Sequence, residues 1–154
     1  MLRISEIIAP EAILCGCRIH SRDELLGEMV RVAAKVHSWT NAEELTAMVI
    51  DRECKMSTGI GIGIAVPHAR LETVDRIHVA VACVPAGVDF RSPDRNPVRL
   101  ALLLVSPVAA ACVHVKALAA VSRIAQTTVD RLVVSATPED FLETLRGWER
   151  TLPG

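Results

Sequence analysis

The residues best suited to chemistry lie between Ser57 and Arg70, in the stretch STGIGIGIAVPHAR. Glycine occupies alternate positions, 59, 61 and 63, and a proline–histidine pair follows at Pro67 and His68. Strand glycines weaken a sheet, so this pattern marks a backbone that something approaches closely. Backbone N–H groups bared by Gly59 and Gly61 suit an anion-binding concavity, and Ser57 and Thr58 add hydroxyl donors. Arg52 stands sixteen residues before His68, and a guanidinium clamps phosphate oxygens in a planar fork. A neutral imidazole, with an unperturbed pKa of ~6.5, is a competent nitrogen nucleophile near neutral pH. These parts meet the demands of phosphoryl transfer, which are in-line positioning and charge stabilisation. On spacing alone, however, a histidine after a strand is more often structural or polar surface.

Nucleotide-binding readings of the same stretch fail on residues. A dinucleotide fingerprint requires G-x-G-x-x-G, and Ile64 stands where the third glycine belongs. A Walker loop ends in Gly-Lys-Ser/Thr, which is absent from this stretch.

Composition narrows the remaining classes. At 154 residues the chain is expected to form one domain spanning 1–154, large enough for a sizeable core. Trp39, Phe90, Phe141 and Trp148 are the only aromatic residues besides histidine, so the core is built from Ala, Val, Leu and Ile. Stacking platforms for single-stranded nucleic acid are missing, and a net charge of −1 argues against duplex binding. No nucleic-acid partner is therefore expected. No apolar run reaches the roughly 20 residues that span a bilayer; the longest, LALLLVSPVAAACV, is interrupted by Ser106 and Pro107. The N-terminus lacks a signal-peptide core, and five scattered cysteines read as reduced thiols. A cytoplasmic protein without membrane insertion is expected.

The elements that must hold the histidine follow from periodicity. Ser21 and Glu24 form a capping box ahead of Leu25, Leu26, Met29, Val32, Ala33 and Val36 at helical spacing. Asn41 opens a second helix that is expected to end near Arg52 and Glu53. IGIAV and RIHVAVACV read as β-strands, and VRLALLLVS as a strand buried on both faces. AAACVHVKALAAVSRIAQ is alanine-rich and helical, and Thr137-Pro138 begins a last helix. Helices before and after the core strands predict an α/β domain with helices on both sheet faces.

The long motif RECKMSTGIGIGIAVPHAR resembles the signature of the fructose/mannitol-type enzyme IIA domains of the bacterial phosphoenolpyruvate-dependent phosphotransferase system. Arg52, Glu53, Ser57 to Gly61, Gly63 to Ala65, Pro67 and His68 match it, and Met56 departs where many relatives have glycine. HVKALAAVSRI is similar to a second segment of the family and aligns His114 with its second active-site histidine. The resemblance implies a three-layer α/β/α fold with a mixed five-stranded sheet. It implies that His68 accepts a phosphoryl group at Nε2 from phospho-HPr or a paralogue, assisted by His114 and Arg52. The recipient is then an enzyme IIB in sugar uptake or, in a nitrogen-related branch, a regulatory target protein. No metal and no organic cofactor is implied. A module that has kept the fold and lost the chemistry is the third possibility, and intact Arg52, His68 and His114 argue against it. His20, His37 and His78 match no family position, and surface or structural roles are expected for them.

Overall fold

The computed structural model describes residues 2–153. Its central element is β6 (Val98–Pro107), an almost wholly apolar strand with neighbours along both edges. On one edge it pairs antiparallel with β5 (His78–Val88), which pairs in turn, in parallel, with β1 (Ile8–Leu14). On the other edge it pairs in parallel with β3 (Ile64–Ala65) and then with β4 (His68–Leu71). β2 (Gly59–Gly61) closes that side antiparallel to β3. The sheet is mixed, as expected, and has six strands. β3 and β4 follow one another along the same edge of β6, parted only by Val66 and Pro67. Proline has no N–H to give, yet its carbonyl still accepts from Leu104 at 2.9 Å.

Alternation along β5 and β6 creates two cores. Val79, Val81 and Cys83 share one face with Leu100, Leu102 and Leu104, beneath α3 (Ala111–Ser122), α4 (Gln126–Leu132) and α5 (Pro138–Glu149). Ala80, Ala82 and Val84 share the other with Ala101, Leu103 and Val105, beneath α1 (Arg22–His37) and α2 (Ala42–Lys55). The result is the three-layer sandwich. Phe90 anchors the second core and Phe141 the first, both fully buried.

Helix starts follow their caps, with exceptions. Ser21 Oγ accepts from the Glu24 N–H at 3.1 Å, and the Glu24 carboxylate reaches back to the His20 N–H. Thr137 caps α5 through the Asp140 N–H. Asn41 makes no side-chain cap bond, and α2 runs to Lys55, two residues past the expected end at Glu53. The alanine-rich helix stops at Ser122, and a separate short α4 follows. Strand β1 was absent from the sequence expectations. It carries Pro10 and a register shift between Ile8 and Ile13, which mask its pattern.

Where α1 ends and β5 begins, the His37 and His78 rings lie 4.0 Å apart, with Trp39 5.3 and 5.4 Å from them. Burial lowers the pKa of both histidines, and that of His78 is lowered further by the charges of His37 and Arg76, against Asp75. The unfolded chain, with histidines near ~6.5, therefore takes up protons before the folded one as pH falls. Stability is full above that value and declines below it. The melting temperature should fall between about pH 7.5 and about pH 5.5. The double substitution His37→Gln, His78→Gln should flatten that slope in thermal melts. An unchanged slope would remove the pair as its source.

Candidate functional site

His68 opens β4, directly after Pro67. Its Nδ1 lies 2.9 Å from the Val66 carbonyl oxygen. A carbonyl only accepts, so Nδ1 carries the proton and Nε2 is left with its lone pair. His114 stands on the first turn of α3, nearly buried at 4% exposure. Its Nδ1 is 2.9 Å from the hydroxyl of Ser106, which is fully buried near the end of β6. The two imidazole rings meet edge to face, with centroids 4.9 Å apart and planes at 64°.

Topology produces this meeting. β4 runs parallel to β6 with His68 opposite Leu104 and Arg70 opposite Ser106. The chain leaves the end of β6 and turns into α3, which brings His114 back over the start of β4. The pair thus gathers at the carboxyl end of β6, where open α/β sheets collect ligands. Burial lowers the pKa of His114, and the charges of His68 and Arg70 lower it further. His114 is accordingly a neutral ring at neutral pH, with one nitrogen that donates and one that accepts. Arg70 is exposed and close enough for its charge to be felt at His114.

The other expected site residues are placed differently. Arg52 lies in the last turn of α2, and its guanidinium donates to the Met56 carbonyl at 3.3 Å. The donors expected to cradle phosphate are spent on the loop itself. Ser57 Oγ donates to the Phe90 carbonyl and accepts from the Gly59 N–H. The Thr58 N–H is shared by both carboxylate oxygens of Glu53, at 3.0 and 3.2 Å. Among the described residues, the buried hydroxyls of Thr58 and of the neighbouring loop's Ser92 have no partner.

The glycines therefore have a local explanation. A side chain at Gly59 would meet Ser92 Oγ at 2.0 Å. Gly61, Ile62 and Gly63 turn the chain from β2 to β3 with φ of 89°, 54° and 81°. That conformation is open to glycine and strained for a β-branched residue. The Ile62 N–H donates to Asp94 at 3.0 Å, which pins the turn to the loop before β6. Among the apolar residues of this segment, Ile60 is exposed, whereas Ile62 is half-buried against the core and Val66 is buried. Met56, Val108 and Val115, each next in sequence to a site element, are also exposed.

Comparison with known proteins shows the family. Residues 6–147 match the family model described as phosphoenolpyruvate-dependent sugar phosphotransferase system, EIIA 2. The chain belongs to that family. It is 34% identical over 121 residues to a nitrogen regulatory protein of Bradyrhizobium diazoefficiens, covering 79% of this chain and 78% of that one. It is 27% identical over 142 residues to the fructose-specific EIIABC component of Bacillus subtilis, covering 92% of this chain but 22% of that longer protein. Among solved structures, nitrogen regulatory protein IIA-Ntr from Neisseria meningitidis superposes with a TM-score of 0.83 at 26% identity, covering 92% of this chain and 98% of that one. The IIA of mannitol from Escherichia coli, solved in complex with its phosphorylated IIB, shares the fold at a TM-score of 0.75 and 22% identity, covering 90% of this chain and 96% of that one.

Two residues that contact elements of the candidate site have no role in the sequence reading. Glu53 matched the motif without a role, and its burial at 2% exposure explains its place: it holds the loop that leads into β2. Ser106 was noted only as a break in an apolar run; a hydroxyl in such a strand is the signal that was there to be used. Glu53→Ala should leave the Thr58 N–H unpaired and cost about 1–3 kcal/mol of stability. Glu53→Gln, which keeps an acceptor, should cost less. Denaturant melts of both variants check the order.

Proposed function

We propose that the chain is a phosphoryl carrier in which His68 Nε2 is the acceptor. The observation that carries this reading is the His68 Nδ1 bond to the Val66 carbonyl, which leaves the Nε2 lone pair free beside a second imidazole. In the transfer, the His68 Nε2–phosphorus bond forms as the nitrogen–phosphorus bond of phospho-HPr or a paralogue breaks. The donor imidazole leaves with the electron pair. His114 supplies a hydrogen bond to a phosphoryl oxygen, and Arg70 a positive charge near the same place. Arg52 joins them by releasing the Met56 carbonyl, to which its guanidinium donates at 3.3 Å. Met56, Ile60, Val108 and Val115 are exposed apolar side chains on or beside these elements and are available to a protein partner.

For the output we infer a regulatory target rather than a sugar transporter. The support is the nitrogen regulatory relative of B. diazoefficiens, which matches over most of both chains. An enzyme IIB in sugar uptake is the second reading, supported by the fructose-specific relative. Incubation of the phosphorylated protein with fructose- and mannitol-type IIB domains separates them. Rapid phosphoryl transfer to either would place the chain on the sugar side.

Mixing with phosphoenolpyruvate, enzyme I and HPr should add one acid-labile phosphoryl group, and His68→Ala should abolish the addition in intact-mass spectra. Equal uptake by that variant would reject His68. His114→Ala and Arg52→Ala should slow rapid-quench phosphorylation. The loss should be at or below the roughly 10²–10³-fold of one preorganised donor, because the site is partly open. Thermal melts run alongside distinguish lost chemistry from lost fold.

A further inference from the structure

Ser106 is fully buried in an otherwise apolar strand, and among the described residues its hydroxyl makes one hydrogen bond, to His114 Nδ1 at 2.9 Å. Two proton assignments fit that distance. If Nδ1–H donated to the serine oxygen, the serine proton would be buried without an acceptor, and Nε2 of His114 would offer a bare lone pair to the site. If the serine donates, its proton is satisfied, Nδ1 accepts, and the ring proton sits on Nε2. Buried polar groups are overwhelmingly paired, which selects the second assignment. The lowered pKa of His114 agrees, since only a neutral ring has a nitrogen that accepts.

We propose that Ser106 is a positioning residue that locks His114 in its Nε2–H tautomer, so that this ring presents a donor where His68 presents a lone pair. The two histidines then hold opposite tautomers, each fixed at Nδ1 by a different partner. A backbone carbonyl accepts from His68, and a side-chain hydroxyl donates to His114. The division suits transfer, because an Nε2–H beside His68 attracts the oxygens of a phosphoryl group that a second lone pair would repel. This role rests on the carrier reading, but the tautomers themselves do not.

Long-range ¹H–¹⁵N NMR of the unphosphorylated protein reads the tautomers directly. His114 should show a pyridine-like Nδ1 and a pyrrole-like Nε2, and His68 the reverse. In Ser106→Ala the His114 nitrogens should move toward averaged values. Single-turnover phosphorylation of that variant should slow on the order of tenfold, less than the roughly 10²–10³-fold of losing a donor outright. Apparent affinity for the phospho-HPr donor should stay unchanged. Ser106→Thr, which keeps the hydroxyl, should restore both signals. In a His114→Ala background, Ser106→Ala should cost no further rate. An Nδ1–H tautomer for His114 in the wild type overturns the proposal, as do wild-type tautomer and rate in Ser106→Ala. Expected tautomers in a protein that takes up no phosphoryl group would support the lock and overturn the carrier reading instead.

Discussion

Strand β6 is enclosed on both faces and both edges, and that enclosure constrains everything else. Its backbone groups have no water to turn to, so each must pair within the sheet. β5 meets this demand along one edge, and the other is shared between β3 and β4. A one-residue slip in either pairing would turn core side chains to the wrong face. The register that places His68 opposite Leu104 is therefore set by hydrophobic patterning far from the site. Reactive geometry comes here as a by-product of an apolar strand finding its partners.

The division between legible and hidden features follows from what patterning can encode. Periodicity identified α1, α5, β5 and β6, because each combines a regular apolar stripe with caps or β-branched residues. β1 was illegible because Pro10 and a bulge disturb a short edge strand. The break between α3 and α4 was hidden by residues that are all acceptable in a helix, with Ile124, inside the break, buried in the core. At the candidate site, motif resemblance pointed to His68 and His114, whose rings the fold brings together. The resemblance also implied Nε2 as the reactive atom of His68, but gave no tautomer for His114, since that depends on the Ser106 hydroxyl that folding brings to its Nδ1. The glycines were read as a bed for anions; their packing against Ser92 and the turn through Ile62 gives them a local role that spacing does not express.

The site also separates attachment from chemistry. His68 is fastened to the sheet, whereas His114 rides on a helix whose buried side, Ala117 and Val121, packs into one core. The contact between the two rings is thus a contact between layers.

The arrangement of the indoles has an optical consequence. The chain has two tryptophans and no tyrosine. Trp39 packs on the core covered by α1 and α2, and Trp148 on the core covered by α3, α4 and α5. Each layer thus carries its own fluorophore, with no tyrosine emission beneath it. Because Trp39 also touches His37 and His78, its emission is coupled to the charge on those rings, while that of Trp148 follows the layer that carries His114.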